Sequence, residues 1–209
     1  MPSTPPLPFS VARTVNFRSG TGRGLSFREP PNYGGRGAEE IQDFVGTATY
    51  LKNIPEVNPN AIAIAGWSCG GHIVTNVLAR HSALYAAGVS YAGVGDWRVE
   101  MEMDSGERMP FRVSRRMVLE DLAYESSGIA HIEDWTSPIL FISGDDDRSA
   151  AMWPTIEMTL ELKKRNVPVD TLILPGEAHS FLLNETRRQM LHRVYAFLEK
   201  YLEGIRKIK

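Results

Sequence analysis

The chain has 209 residues, enough for one domain with a full core and little room for a second. Its 43% hydrophobic and 23% charged content is ordinary for a globular protein, and a net charge of −2 gives no basis for nucleic acid or a membrane surface as partner. The single cysteine, Cys69, excludes an internal disulfide and a zinc site built from several cysteines, and no apolar run is long enough to cross a bilayer.

The opening MPSTPPLPFS carries four prolines in ten residues and reads as an extended arm over residues 1–15 that leads into the first strand. It lacks the basic start and apolar core of a secretory leader, so the default compartment is the cytoplasm. VARTVNF (11–17) reads as a short strand, and the Gly- and Pro-rich stretch 18–37 as loop. From Ala38 to Asn53 the apolar residues Ile41, Phe44, Val45, Ala48 and Leu51 follow a helical period. NPNAIAIAG then predicts a turn and a buried strand, CGGHIVTNVLARHSA a helix, and YAAGVSYAG a second buried strand.

Residues 96–131 are mixed and Met-rich, with one helix expected over 112–124 and a segment, RVEMEMDSGERMPF, that reads equally as a lid or a surface excursion. SPILFISG (137–144) predicts a strand, MWPTIEMTLELKKRN a helix and VPVDTLILPG a strand. Residues 185–204 predict a long amphipathic helix with Met190, Leu191, Val194, Phe197, Leu198 and Leu202 on its apolar face. Strands alternate with helices, and the strands are continuous apolar runs. Both features predict an α/β fold with a mostly parallel sheet covered by helices on both faces, a single domain over residues 16–209.

The chemistry centres on AIAIAGWSCGG (61–71). Gly66-Trp67-Ser68-Cys69-Gly70 is G-x-S-x-G placed between a strand and a helix. Such an elbow presents the serine at the carboxyl end of the sheet, and its strained backbone asks for small residues at Gly66 and Gly70. A serine hydroxyl is a weak nucleophile; it needs a base, a group that orients the base, and donors for the oxyanion. Asp145, Asp146 and Asp147 directly follow the strand ILFISG, and His179 directly follows TLILPG. The order Ser, then acid, then His, each on a loop after a strand, is that of the α/β-hydrolases. The other histidines show no metal-ligand spacing: His72 reads as a packing or surface residue, His81 as a helix-end cation, His131 and His192 as solvated.

NFRSGTGRGLSFRE, VNPNAIAIAGWSCGGH, SPILFISGDDDR and PGEAHSFLL together resemble the catalytic domain of prolyl oligopeptidase-type serine peptidases, in the acylaminoacyl-peptidase and dipeptidyl-peptidase branch. The likeness runs from about Asn16 to the C-terminal helix. It implies Ser68 as nucleophile, His179 as general base and, from the family's glycine, two residues, then aspartate, Asp147 as the orienting acid. Asp145 and Asp146 remain alternatives for that role. It implies cleavage of peptides or acyl-peptides through an acyl-enzyme, with no metal or cofactor.

Three departures from the family pattern stand out. Cys69 replaces the usual aromatic after the nucleophile; its backbone N–H still serves as an oxyanion donor, and its thiol is expected to be buried and inert. No His-Gly occurs to supply the second donor, whose loss costs about 10²–10³ in rate in a known hydrolase. The family's propeller and first strands are absent from this sequence. The expectation is that 11–17 pairs directly with the 61–66 strand, or that an exposed edge invites a second copy. The competing readings are a small carboxylesterase on the same triad and an inactive fragment without its oxyanion loop.

Overall fold

The computed structural model describes residues 12–18, 20, 22–28, 39–98 and 121–202. Most of the arm, the Met-rich segment and most of the helix expected over 112–124 lie outside these residues; 121–125 is helical.

Four parallel strands form one sheet in the order β1-β2-β3-β4: β1 (Ala63–Trp67), β2 (Ala87–Tyr91), β3 (Ile139–Gly144) and β4 (Val169–Leu174). The helices whose full extent lies within the described residues are α1 (Leu25–Arg28), α2 (Glu39–Lys52), α3 (Cys69–His81), α4 (Met152–Lys164) and α5 (Asn184–Tyr201). The two central strands, β2 and β3, are apolar or small on both sides because both faces are covered there. Ile139 and Phe141 of β3 face a cluster with Ile64, α2, α3 and α4, where Val77, Leu78, Met158 and Leu162 are fully buried. Leu140 and Ile142 face the other way, against Val89, Leu174, Phe181 and Phe197 of α5. Burial of each such side chain contributes about 1.5–3 kcal/mol.

Residues 12–17 are not a strand. Contacts with α2 hold this segment instead: Phe17 packs on Phe44 with ring centroids 5.2 Å apart, and Asp43 accepts from the Arg18 backbone N–H at 2.7 Å and from its guanidinium. The expected direct pairing with β1 is therefore not made. Among the described residues β1 is an edge of the sheet. The 18–37 stretch also contains a short helix, α1, not only loop.

Along α5, Met190, Val194, Phe197 and Leu198 pack on the sheet as expected, but Leu191 is 62% exposed. Leu191 lies on the solvent side of the stripe that Met190, Val194, Phe197 and Leu198 define. His192 is exposed, whereas His131 is half-buried in a 3-10 segment with Nε2 2.8 Å from the Glu125 carbonyl.

Candidate active site

The carboxyl ends of β1, β3 and β4 carry Ser68, Asp147 and His179 in turn. In an open parallel sheet this rim is where ligands bind.

Ser68 has φ 57° and ψ −118°, a conformation that costs an L-residue of order 1–3 kcal/mol and persists only when its surroundings enforce it. They do so here. The Ser68 N–H donates to the Tyr91 carbonyl at 2.8 Å, and the Ser68 carbonyl accepts from His72 N–H at 3.0 Å, the first bond of α3. A Cβ on Gly66 would stand 2.2 Å from the Gly70 carbonyl oxygen, and one on Gly71 would stand 2.7 Å from Gly93 Cα. Gly70 differs from the expectation: a Cβ there would meet nothing within 4 Å, so only its backbone is in the tight contact. The Ser68 hydroxyl makes no capping bond to the helix it precedes.

Cys69 is the first residue of α3, so its N–H is one of the helix's donors without an intrahelical partner. The thiol is exposed rather than buried, because the helix begins at the rim and leaves its first side chain outside the core.

Asp147 is fully buried at the side chain, and each oxygen is used. Oδ1 accepts from the N–H groups of Ser149 at 2.8 Å and Ala150 at 2.9 Å; Oδ2 lies 2.9 Å from His179 Nδ1. A carboxylate accepts, so Nδ1 carries the proton and Nε2 is left as a base. The neighbouring acids face elsewhere: Asp145 Oδ1 accepts from Gly176 N–H at 2.6 Å, and Asp146 pairs with Arg148 at the surface.

Two residues with no prior signal in the spacing shape the histidine loop. Glu177 is buried and accepts from Leu182 N–H at 2.7 Å, Leu183 N–H at 3.0 Å and the Thr186 hydroxyl. The Thr186 hydroxyl first, then the Leu183 and Leu182 N–H groups and the Arg187 charge, hold its carboxyl below the usual range against the effect of burial. Trp67, inside the G-x-S-x-G, donates its indole N–H to the His179 carbonyl at 3.2 Å and so brings the histidine backbone beside the elbow.

His72, one turn beyond Ser68, is not a second base. Its Nε2 accepts from the Trp97 indole N–H at 2.9 Å and its Nδ1 faces the Val94 carbonyl at 3.1 Å. Burial lowers its pKa to about 4, so it is neutral and structural.

The prolyl oligopeptidase family matches residues 10–204, and the chain belongs to that family. Dipeptidyl-peptidase 5 of Porphyromonas gingivalis is 25% identical over 179 residues, 81% of this chain and 26% of its own length. The human acylamino-acid-releasing enzyme is 25% identical over 206 residues, 90% of this chain and 27% of its own. The crystal structure of Porphyromonas gingivalis dipeptidyl peptidase 4 superposes with a TM-score of 0.74 at 28% identity, covering 88% of this chain and 26% of that one. The fold is the α/β-hydrolase fold of these peptidases, and the chain spans about a quarter of the length of such relatives.

Proposed function

We propose that the chain is the catalytic part of a serine peptidase that cleaves peptide or acyl-peptide bonds. Ser68 Oγ attacks the scissile carbonyl carbon while His179 Nε2 takes the hydroxyl proton. Asp147 holds the imidazole in the Nδ1–H tautomer and stabilises the imidazolium. The Cys69 N–H donates to the oxyanion. Collapse of the tetrahedral intermediate expels the amine, which takes the proton from His179, and leaves Ser68 acylated. Water then attacks the ester, with His179 as base again, and releases the acid and the free serine.

The observation that carries this reading is the Asp147–His179 hydrogen bond at 2.9 Å, set on loops after β3 and β4, with the His179 carbonyl tied to the residue before Ser68. Membership of the prolyl oligopeptidase family supports it. The names of the relatives, dipeptidyl-peptidase and acylamino-acid-releasing enzyme, define the substrates to try: dipeptidyl and acyl-amino-acid p-nitroanilides. The expected result is amide cleavage that falls on the order of 10⁶-fold in Ser68→Ala. Cleavage of p-nitrophenyl esters alone would make the chain an esterase, and activity that survives Ser68→Ala would refute the assignment.

The edge that β1 forms among the described residues supports a second part of the proposal: a strand from outside those residues covers it in the working protein, and a second copy of this chain is the occupant to test. Light scattering that returns a dimer mass, lost when Lys replaces Ala65 on the exposed side of β1, is the expected result; a monomer at all concentrations would refute self-association.

A further inference from the structure

Trp67 is the last residue of β1, and its Cα is one peptide step from that of Ser68. The residue is 37% exposed, so it stands at the surface rather than in the core. The single indole donor is nevertheless used on the main-chain carbonyl of His179 at 3.2 Å. The ring is held by two aromatic neighbours: it stacks on Tyr91 with centroids 5.5 Å apart and an interplanar angle of 8°, and it lies 4.5 Å from the ring of Phe181.

The loop that carries His179 has other ties. Gly176 N–H reaches Asp145, the Glu177 carbonyl accepts from Asp146 N–H at 3.1 Å, and the Phe181 carbonyl accepts from Arg187 Nε at 2.7 Å. These join the loop to the acid loop and to α5. None of them reaches the nucleophile strand. Among the described residues, the indole bond is the hydrogen bond that crosses from the end of β1 to this loop. The same loop holds a strained residue in contact with the indole: Phe181 is fully buried with φ 43°, and its ring is tilted against that of Trp67.

We propose that Trp67 is a positioning residue whose indole N–H sets the main chain of His179 relative to Ser68, so that the base is in register with the nucleophile. The proposal rests on the reading of Ser68 and His179 given above. A merely packed tryptophan would need only its ring. A positioning tryptophan needs its donor, and the two requirements can be separated.

Trp67→Phe keeps an aromatic ring against Tyr91 and Phe181 and removes the donor. Trp67→His gives up the benzo ring, but its imidazole overlays the pyrrole ring and can place an N–H where the indole Nε1–H stands. The measurements are kcat and KM, the rate of labelling by a fluorophosphonate probe, and hydrogen exchange of the amides of residues 177–182. The expected result for Trp67→Phe is a fall in kcat and labelling rate of about 10- to 100-fold, with KM little changed and faster exchange in the loop. Trp67→His is expected to lie closer to wild type in all three, although less stable to urea. The opposite order, with Trp67→Phe at or above Trp67→His in rate and protection, would overturn the proposal. If the wild-type chain neither turns over nor labels, the reading of Ser68 fails. The exchange data still decide the tie, and unchanged protection in Trp67→Phe would overturn it.

Discussion

The two sides of the proposed site are built to different standards. On the acid–base side, β3 lies between two strands and is buried at every residue, and the loops after β3 and β4 are bonded to each other and to α5. On the nucleophile side, β1 is bonded to one neighbour and its residues run from buried Ile64 to exposed Ala65 and Trp67. The His–Asp pair is thus held by contacts within the described residues. The serine is held by a strained elbow at the margin of the sheet, and Trp67 links the two.

After removal of the nucleophile itself, the largest expected effect is on the acid–base side. Asp147→Asn keeps an oxygen for the Ser149 and Ala150 N–H groups but turns an NH₂ toward His179 and imposes the wrong tautomer. In a stably folded protein, kcat should fall about 10⁴-fold. A smaller loss, with Asp145→Asn or Asp146→Asn more damaging, would move the acid to a neighbour.

Next come the two glycines that permit close backbone approach, one on each side. A Cβ at Gly144 would stand 2.0 Å from the Glu177 carbonyl oxygen, and one at Gly66 2.2 Å from that of Gly70. Each alanine variant should lose about 3 kcal/mol or more in urea unfolding, because backbone rather than a side-chain tip must yield. Gly70→Ala is the control. With open space around its Cβ and a helical position, it should change stability by less than about 1 kcal/mol, toward greater stability. Equal losses at 66 and 70 would contradict this account of the elbow.

A pH effect is expected on the nucleophile side, because His72 supports the loop after β2 that packs against the elbow helix. Its folded pKa of about 4 lies below the unfolded value of 6.5, so the unfolded chain binds more protons between these limits. Stability from this group is complete above pH 6.5 and is lost as the pH falls toward 4, in all about 3 kcal/mol. Urea midpoints of wild type and His72→Gln should therefore converge on acidification; parallel curves would contradict the neutral, buried assignment.

The smallest effect on activity is expected far from the site. Asp43→Asn removes the charge that pairs with Arg18, a half-exposed pair, and should cost about 1 kcal/mol with no change in kcat. A large effect on kcat would mean that the 12–18 segment bears on the elbow.

What could be read in the sequence follows from what is local. ILFISG announces a strand buried on both faces because every residue in it is apolar or small, and G-x-S-x-G between strand and helix announces an elbow because the turn itself demands the pattern. VARTVNF carries the same β-branched signal as a strand, but its place is set by Asp43 and Phe44, in contacts that span 25 residues or more, and no local pattern encodes that. The exposure of Cys69 follows from where a helix starts relative to the rim rather than from its polarity. The acid among Asp145, Asp146 and Asp147 could be chosen only through the family likeness, since all three follow the strand equally. Trp67 and Glu177 act through bonds to a loop whose position depends on the closed sheet, so neither carried a signal of its own.

The most direct test of the central claim is the intact mass of the chain after treatment with a fluorophosphonate, followed by peptide mapping, in wild type and Ser68→Ala. The account predicts one adduct on the peptide that contains residues 66–71, placed on Ser68 rather than the exposed Cys69 and absent from Ser68→Ala. A folded wild-type chain that takes up no probe, or an adduct that persists in Ser68→Ala, would contradict it.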